Sequence, residues 1–139
     1  LNDFYLKWSD NDLVLEKWFE MMSSLNLDSE GINHIKALME HKSFDIKNPN
    51  KLRSVLGAFQ RENILLFHAE DSSGYNFISE QISIIDKRNP QVAARLILPL
   101  TRFKNYNEDR KNKIREVLKN IFNQKPSIDL SEIIEKALN

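Results

Sequence analysis

Cysteine is absent from this 139-residue sequence, which excludes disulfides and thiolate metal sites. Glycine occurs only three times, too few for the hairpins of an all-β protein. An excess of one charge is also absent, because twenty basic and twenty acidic residues give a formal net charge of zero. That balance argues against a protein that binds nucleic acid or an anionic membrane through bulk electrostatics. No apolar run approaches the ~20 residues that span a bilayer, so we expect neither partner.

Catalytic motifs are missing as well, since the sequence has no nucleophile elbow and no glycine-rich phosphate loop. His34 and His41 lie seven residues apart on one predicted helix. That spacing is about 10 Å along the axis, too far to share a metal without a third element. His68, Glu70 and Asp71 could form an acid–base cluster, but we favour a loop histidine beside helix-capping carboxylates. We predict no catalytic residue and no metal ligand here, and interpret the first two histidines as surface or helix-end residues.

Helical periodicity is the dominant feature that the sequence does contain. Apolar residues recur at spacings of three and four along most of the chain, and no segment has the alternation of a strand. The pattern predicts an all-α protein of about seven or eight helices. Residues 3–7 are expected to end a first helix, and residues 63–74 to form the longest irregular segment. The later predicted helix starts are Asn11, Asp28, Asn48, Ser72 or Ser73, Asn89 and Asp129, and a further charged helix follows the turn at residues 105–107. The predicted apolar stripe after Asn48 is Leu52, Val55, Leu56 and Phe59, and that of the charged helix is Ile114, Val117, Leu118, Ile121 and Phe122.

The most apolar segment is Asn89–Lys104. Asn89 suits the N-cap, and Pro90 suits the first helical position, where its missing N–H costs nothing. Apolar residues cover most of the circumference of this predicted helix, which is typical of a helix buried between others. Pro99 should kink it or free a carbonyl one turn back. Arg95 would then lie on a mostly buried helix and need an anionic partner or a wet cavity.

A repeat is indicated by the two Asn-Pro helix starts at Asn48 and Asn89, which lie 41 residues apart. A second helix follows each start. A helix pair that recurs at about 40–47 residues is the mark of a HEAT-like solenoid. Residues 11–47 would form a slightly shorter preceding unit, and the last helix would serve as a cap. We therefore expect a superhelical stack of antiparallel helix pairs, a HEAT/ARM-like α-solenoid.

Arg53 and Arg95 each lie in the second turn after an Asn-Pro start, in corresponding places of the two repeat units. Equivalent helices of a solenoid line the same concave surface. Two guanidinium groups on that surface would bind a carboxylate through paired N–H donors, which lysine cannot supply. Gly57, one turn beyond Arg53, would leave backbone room beside it. The alternative is that each arginine pairs with a structural Asp or Glu, and the residues alone do not decide between the two.

Five runs of sequence carry a family resemblance: LVLEKWF (13–19), HKSFDIKNPN (41–50), SVLGAF (54–59), FHAEDSSGY (67–75) and NPQVAARLILPLTRFK (89–104). Together they resemble the C-terminal helical domain of bacterial aminopeptidase N, the zinc alanyl aminopeptidase of the gluzincin type. The similarity covers nearly all of the chain, in order and without large gaps. The resemblance implies that residues 1–139 are the later part of a C-terminal all-helical domain, with the catalytic zinc domain outside this chain.

The resemblance also implies roles for particular residues. In the family an H-E-x-x-H helix and a later Glu hold zinc, and a G-A-M-E-N loop binds the substrate's amino end; neither motif occurs here. Residues matching Arg53 and Arg95 face an internal cavity in the family and hold the distal end of the peptide, including its carboxylate. Two positions depart from the family pattern: Ser72 replaces a usual Gly, so the loop backbone is expected to differ locally, and Lys51 replaces a common Arg.

A family member would be a cytoplasmic, monomeric enzyme that removes N-terminal amino acids from peptides. This segment's partners would be the preceding catalytic and helical domains of the same polypeptide, together with peptide substrates. Its start at Leu1, with no signal-like sequence, is expected of an inactive fragment. The alternative is a free-standing helical-repeat adaptor that binds a protein in its groove. The reading frame upstream of Leu1 would distinguish the two, because only the enzyme would encode the zinc and G-A-M-E-N motifs there.

Overall fold

The computed structural model of the chain describes residues 11–24, 32–69 and 71–139, without the side chains of Asp12 and Leu65. All regular structure in these ranges is helical, which confirms the predicted all-α class. The α-helices are α1 (Asp12–Ser24), α2 (Ile32–Met39), α3 (Pro49–Leu52), α4 (Ala58–Glu62), α5 (Ile64–Phe67), α6 (Ser73–Asp86), α7 (Pro90–Leu96), α8 (Leu98–Thr101), α9 (Glu108–Asn123) and α10 (Ile128–Leu138). A π-helical segment, Arg53–Gly57, joins α3 to α4. The chain divides into two compact units, residues 1–67 and 68–139.

In the first unit, helix starts follow local capping chemistry. Asn11 Oδ1 accepts from the backbone N–H of Val14 at the start of α1. At the start of α3, Asn48 Oδ1 accepts from the N–H of Asn50 at 3.0 Å, as the sequence predicts for an Asn-Pro start. The predicted apolar stripe that follows is buried, with Leu52, Val55, Leu56 and Phe59 at most 3% exposed.

Aromatic rings form much of the first unit's described core. Phe19 meets Trp18 and Phe44 edge to face, with ring centroids 5.1 and 5.7 Å apart. Phe59 meets Phe67 in the same geometry at 5.8 Å. Such edge-to-face pairs add to the free energy gained by burying the rings themselves.

Buried polar side chains in this unit complete the hydrogen bonding of helix backbones. Ser23 Oγ donates to the carbonyl of Val55, inside the π-helical segment, at 2.5 Å. His34 Nε2 lies 2.6 Å from the carbonyl oxygen of Met22 and donates to it, since a carbonyl can only accept. Asn63 Nδ2 donates to the carbonyl of Ser23 at 3.1 Å. The last-turn carbonyls of α1 thus find side-chain donors. His34 is therefore a buried structural residue in the first turn of α2, so the prediction of a helix-end histidine is confirmed for it and that of a surface histidine is wrong.

In the second unit, the predicted start at Asn89 is confirmed, because its Oδ1 accepts from the N–H of Val92. The last helix starts differently from the prediction. Ser127, not Asp129, is the N-cap, and its Oγ accepts from the N–H of Leu130. Ser127 in turn donates from its N–H and its Oγ to the buried carboxylate of Asp86, at 2.7 and 2.5 Å. This contact across 41 residues selects Ser127 over Asp129.

Three further expectations are corrected. Residues 63–74 are not one irregular segment, because α5 occupies Ile64–Phe67 and α6 begins at Ser73. The helix expected over residues 89–104 is shorter, because residues 102–104 are not helical. Its interruption was predicted at Pro99 and is present: α7 ends at Leu96, and α8 covers Leu98–Thr101. Pro99 explains the break, since it cannot donate a backbone hydrogen bond. Phe122, placed in the apolar stripe of α9, is 39% exposed.

Some expectations fall on residues outside the described ranges. These are the first helix end at residues 3–7, the Asp28 cap and the role of Glu70. Within the described ranges, no helix has both the length and the apolar character needed to cross a membrane.

Candidate functional site

Arg53 is the first residue of the π-helical segment, and its side chain is exposed. Its guanidinium donates to Oδ1 of Asn50, one turn earlier on the same helical stretch. The π-helical geometry starts at this arginine, and such segments are frequent at functional sites. The neighbour of Gly57 differs from expectation, however. A methyl group at Gly57 would lie 2.8 Å from Nη1 of Arg61, so Arg61 occupies the space that was expected to serve Arg53.

Arg95 lies on α7, and it is exposed. Val92, Ala93 and Leu96 are buried, but Gln91 and Arg95 on the same helix are exposed, and Leu98, at the start of α8, is 37% exposed. The expectation of a helix covered all round is therefore wrong, and Arg95 is not a buried charge. It borders an open groove of about 530 Å³ between α7 and α10. The groove is lined by Gln91, Ala94, Arg95, Leu98, Asp129, Glu132 and Ile133.

The two arginines are not in equivalent register. Arg53 follows its Asn N-cap by five residues, whereas Arg95 follows its own by six. One residue corresponds to about 100° around a helix. The residue that stands six after Asn48 is Ser54, which is 8% exposed and donates to the carbonyl of Asn50. Arg53 and Arg95 therefore lie in the same turn after their N-caps, but on different sides of their helices.

No arginine at the candidate site has a carboxylate partner in the described ranges, where neither Arg53 nor Arg95 forms an ion pair. Asp129 and Glu132 share the groove with Arg95 without pairing with it. Sequence reasoning missed these two acidic residues, and it missed Arg61. Asp129 and Glu132 are three residues apart, so the sequence could have placed both on the same side of an amphipathic helix. The sequence does not indicate which other helix lies opposite that side.

The acid–base cluster considered around His68 resolves into two separate contacts. Asp71 Oδ1 accepts from the N–H of Ser73 at 2.9 Å, at the start of α6. Side-chain and backbone hydrogen bonds from Ser73 lower the pKa of Asp71, which confirms the helix-capping interpretation for this carboxylate. His68 Nδ1 is instead hydrogen-bonded to the hydroxyl of Tyr75. Ser72, between them, has a φ of 64°, the left-handed conformation that glycine adopts at no cost. The backbone at Ser72 thus has the conformation that suits the glycine usual in the family at this position.

In the part of the chain that the structure describes, no three His, Asp or Glu side chains are close enough together to hold a metal ion.

Comparisons with known proteins place the whole chain in one family. Residues 1–139 match the family model described as a domain of unknown function (DUF3458_C) with ARM repeats. That description agrees with the helical repeat expected from the two Asn-Pro starts.

Curated relatives extend the similarity over nearly all of the chain. It is 43% identical over 133 residues to an aminopeptidase N of Escherichia coli, which covers 95% of this chain and 15% of that protein. It is 40% identical over 139 residues to an aminopeptidase N of Haemophilus influenzae, covering 99% of this chain and 16% of that protein. The chain therefore spans about a sixth of the length of these relatives.

Among solved structures, the chain is similar to an aminopeptidase A of Legionella pneumophila, determined in complex with aspartic acid. The TM-score is 0.90 and the sequence identity 31%, over 99% of this chain and 16% of that one.

Proposed function

The chain belongs to the DUF3458_C family of ARM-repeat domains, and we propose that it is the later part of the C-terminal helical domain of a larger zinc aminopeptidase. In this proposal the segment walls a substrate chamber and positions the distal end of a peptide, while another part of the polypeptide removes the N-terminal amino acid. The observation that carries the proposal is the similarity to aminopeptidases N along 95% and 99% of the chain.

Zinc chemistry is assigned to the rest of the polypeptide. Zinc held by that part would supply a Lewis acid and an activated water for peptide hydrolysis. The described residues offer no ligand set for the metal, and the sequence lacks the H-E-x-x-H motif. The contribution of this segment is therefore positional and electrostatic. We further propose that the parent enzyme is cytoplasmic and monomeric, and that its other domains and its peptide substrates are the partners of this segment.

The geometry of Arg95 supports a role in binding the peptide's carboxylate. The side chain is exposed, borders a groove of about 530 Å³, and has no ion pair among the described residues. A planar guanidinium can bind a carboxylate through two parallel N–H donors. Asp129 and Glu132 line the same groove, so an incoming carboxylate meets repulsion as well as attraction. We therefore expect Arg95 to contribute selectivity for the free carboxylate rather than very tight binding.

Arg53 differs from Arg95, because its guanidinium already donates a hydrogen bond to Asn50. That bond is to a neutral oxygen in the same helix and still leaves guanidinium donors for a ligand. Arg53 is therefore proposed as a second contact to the peptide, held in a fixed orientation by Asn50.

The test uses the longer protein that carries this chain. Replacing Arg95 with alanine should raise KM for alanyl tripeptides about tenfold, the effect of losing one charge-assisted contact, and leave KM for an alanyl arylamide nearly unchanged. The arylamide has no distal carboxylate, so it measures the rest of the site. Steady-state kinetics with both substrates give the comparison.

The matched control is Arg102→Ala, which removes an exposed arginine that lines no part of the groove. It should leave both KM values unchanged. Equal losses with the two substrates would count against carboxylate binding by Arg95, although the enzyme itself would remain an aminopeptidase. Absence of hydrolysis of either substrate by the zinc-loaded longer protein would instead overturn the proposed function.

A further inference from the structure

A second polar site lies in the unit formed by residues 68–139, on elements that the proposed peptide contact does not use. It is a small cavity of about 80 Å³ bordered by the segment before α6 and the first turns of α9. A water molecule takes up about 30 Å³ in the liquid, so the cavity has room for more than one water or for a small anion. The polar residues that line it are His68, Tyr75, Asn107, Asp109, Arg110 and Lys113.

The aromatic wall of the cavity is rigid. Tyr75 is 1% exposed, and its hydroxyl is hydrogen-bonded to Nδ1 of His68. The His68 ring also meets the rings of Tyr75 and Tyr106 edge to face, with centroids 5.4 and 5.1 Å away. This packing fixes the imidazole from two sides. A ligand that entered the cavity would therefore meet a preformed surface and would need little reorganisation.

The opposite wall carries two cations and one anion. Lys113 Nζ lies 2.9 Å from Oδ2 of Asp109, so these two charges offset each other. In the described ranges the guanidinium of Arg110 forms no ion pair and no hydrogen bond. Its charge is nevertheless felt in the cavity. Burial first, and Arg110 second, lower the pKa of His68. Among the described residues that line the cavity, Arg110 and Lys113 against Asp109 leave a net positive charge.

Asn107 adds a neutral donor beside that charge. Its Oδ1 accepts from the backbone N–H of Arg110 at 2.9 Å, which fixes the orientation of the side-chain amide. The Nδ2 of the same amide is then a donor near the cavity. A guanidinium and an amide donor beside a small, rigid, net-positive cavity suit an oxyanion with two or more acceptor oxygens.

We propose that this cavity binds a small oxyanion, a carboxylate or a phosphate, through the guanidinium of Arg110 and the side-chain amide of Asn107. The site is independent of the proposed peptide contact at Arg95, because none of its lining residues borders the groove of Arg95. Asp109 sets an upper limit on the affinity, since its carboxylate would lie close to the bound anion.

The test follows the imidazole resonances of the protein by NMR during titration with sodium acetate and, separately, sodium phosphate, with chloride adjusted to hold the ionic strength constant. This chain contributes the imidazole signals of three histidines. The His68 resonance should shift with a saturable dependence on anion concentration, and the pKa of His68 should rise because the bound negative charge favours the imidazolium. His41, whose pKa is also lowered by burial, serves as the internal control and should not respond.

Three substitutions test the assignment of the binding residues. Arg110→Gln should weaken anion binding by about tenfold or more, while Arg88→Gln, an exposed arginine that lines no part of the cavity, should leave it unchanged. Asp109→Asn should tighten binding, since it removes the repelling carboxylate from the cavity wall. The tighter of acetate and phosphate identifies the source of the oxyanion. A His68 resonance that responds to neither anion, or that responds equally in Arg110→Gln, overturns the proposal.

Discussion

The two compact units bury their polar side chains for opposite purposes. In the described part of the first unit, the buried side chains of Ser23, His34 and Asn63 donate to helix carbonyls. In the described part of the second unit the buried polar residue is Asp86, a carboxylate that accepts from the N-cap of α10. One unit therefore satisfies a helix C-terminus and a π-helical segment, and the other satisfies a helix N-terminus.

The contrast follows from the polarity of the helix backbone. A helix leaves carbonyls without partners at its C-terminus and N–H groups without partners at its N-terminus. The N-terminus also carries partial positive charge, so an ionised carboxylate is stabilised there. The carbonyls of α1 and of the π-helical segment each accept one hydrogen bond from a side chain of the first unit. We expect the contact at Asp86, which accepts two hydrogen bonds, to contribute more to stability than any one of these single contacts.

The largest predicted effect is that of Asp86→Ala. It removes two short hydrogen bonds to a charged acceptor and leaves the N–H and hydroxyl of Ser127 without their partner. We expect a loss of about 3 kcal/mol in the free energy of unfolding, measured by urea denaturation. Asp129→Ala is the control, because Asp129 is an exposed first-turn acid of the same helix and should cost less than about 1 kcal/mol. Equal losses for the two variants would remove the distinction between a buried and an exposed carboxylate at this helix start.

The first unit gives a smaller effect with Ser23→Ala. The hydroxyl is fully buried and donates to the Val55 carbonyl at 2.5 Å, so its loss should cost about 1.5 kcal/mol. Ser24→Ala is matched in sequence but partly exposed, with its Oγ 2.7 Å from the Glu20 carbonyl and 2.8 Å from Oε2 of Glu62, which is a solvent-exposed contact. Water can replace these contacts, and the cost should stay below about 0.5 kcal/mol. Urea denaturation of both variants measures the difference, and a reversed order would contradict the role assigned to the π-helical carbonyl.

Local capping chemistry explains which parts of the fold could be predicted from the sequence. Asn48 and Asn89 cap helices because the acceptor, the N–H groups and the following proline lie within four residues of one another. The start of α10 could not be predicted in the same way. Ser127 and Asp129 are both good N-caps, and the choice depends on Asp86, which no local pattern connects to them.

The same limit applies to the candidate site. The sequence identified Arg53 and Arg95 by their distance from an Asn-Pro start, but the exposure of Arg95 depends on α7 being covered on one side only. The π-helical segment at Arg53 has no signature in the residues themselves. Arg61 over Gly57 is likewise a product of side-chain packing.

A third, smaller effect should increase stability, and it is confined to the second unit. Ser72 and Lys125 are the non-glycine residues with positive φ in the described ranges, at 64° and 56°. A side chain in this conformation is strained, whereas glycine is not. Ser72→Gly and Lys125→Gly should each raise the free energy of unfolding by about 0.5–1 kcal/mol. Ser73→Gly, one residue later and inside α6, is the control and should lower it. Thermal denaturation ranks the stabilities of the three variants. A Ser72→Gly variant less stable than the unsubstituted protein would show that contacts of the Ser72 hydroxyl offset the strain.

The smallest effect compares one histidine from each unit under changing pH. Burial, then Lys42, lowers the pKa of His41 in the first unit, and burial, then Arg110, lowers that of His68 in the second. The unfolded chain, with a histidine pKa of about 6.5, therefore binds more protons than the folded chain once the pH falls below that value. Stability should be constant near pH 7.5 and decrease as the pH falls through about 6.5 toward 5.5. Hydrogen exchange of the backbone amides of α1 and α9, measured near pH 7.5 and near pH 5.5, reports the stability of the two units separately. His41→Gln should reduce the pH dependence of α1 alone, and His68→Gln that of α9 alone. Asp71 does not contribute in this range, because its lowered pKa places its titration below it. A decrease in stability at low pH that remains in both histidine variants would therefore show that groups other than His41, His68 and Asp71 cause it.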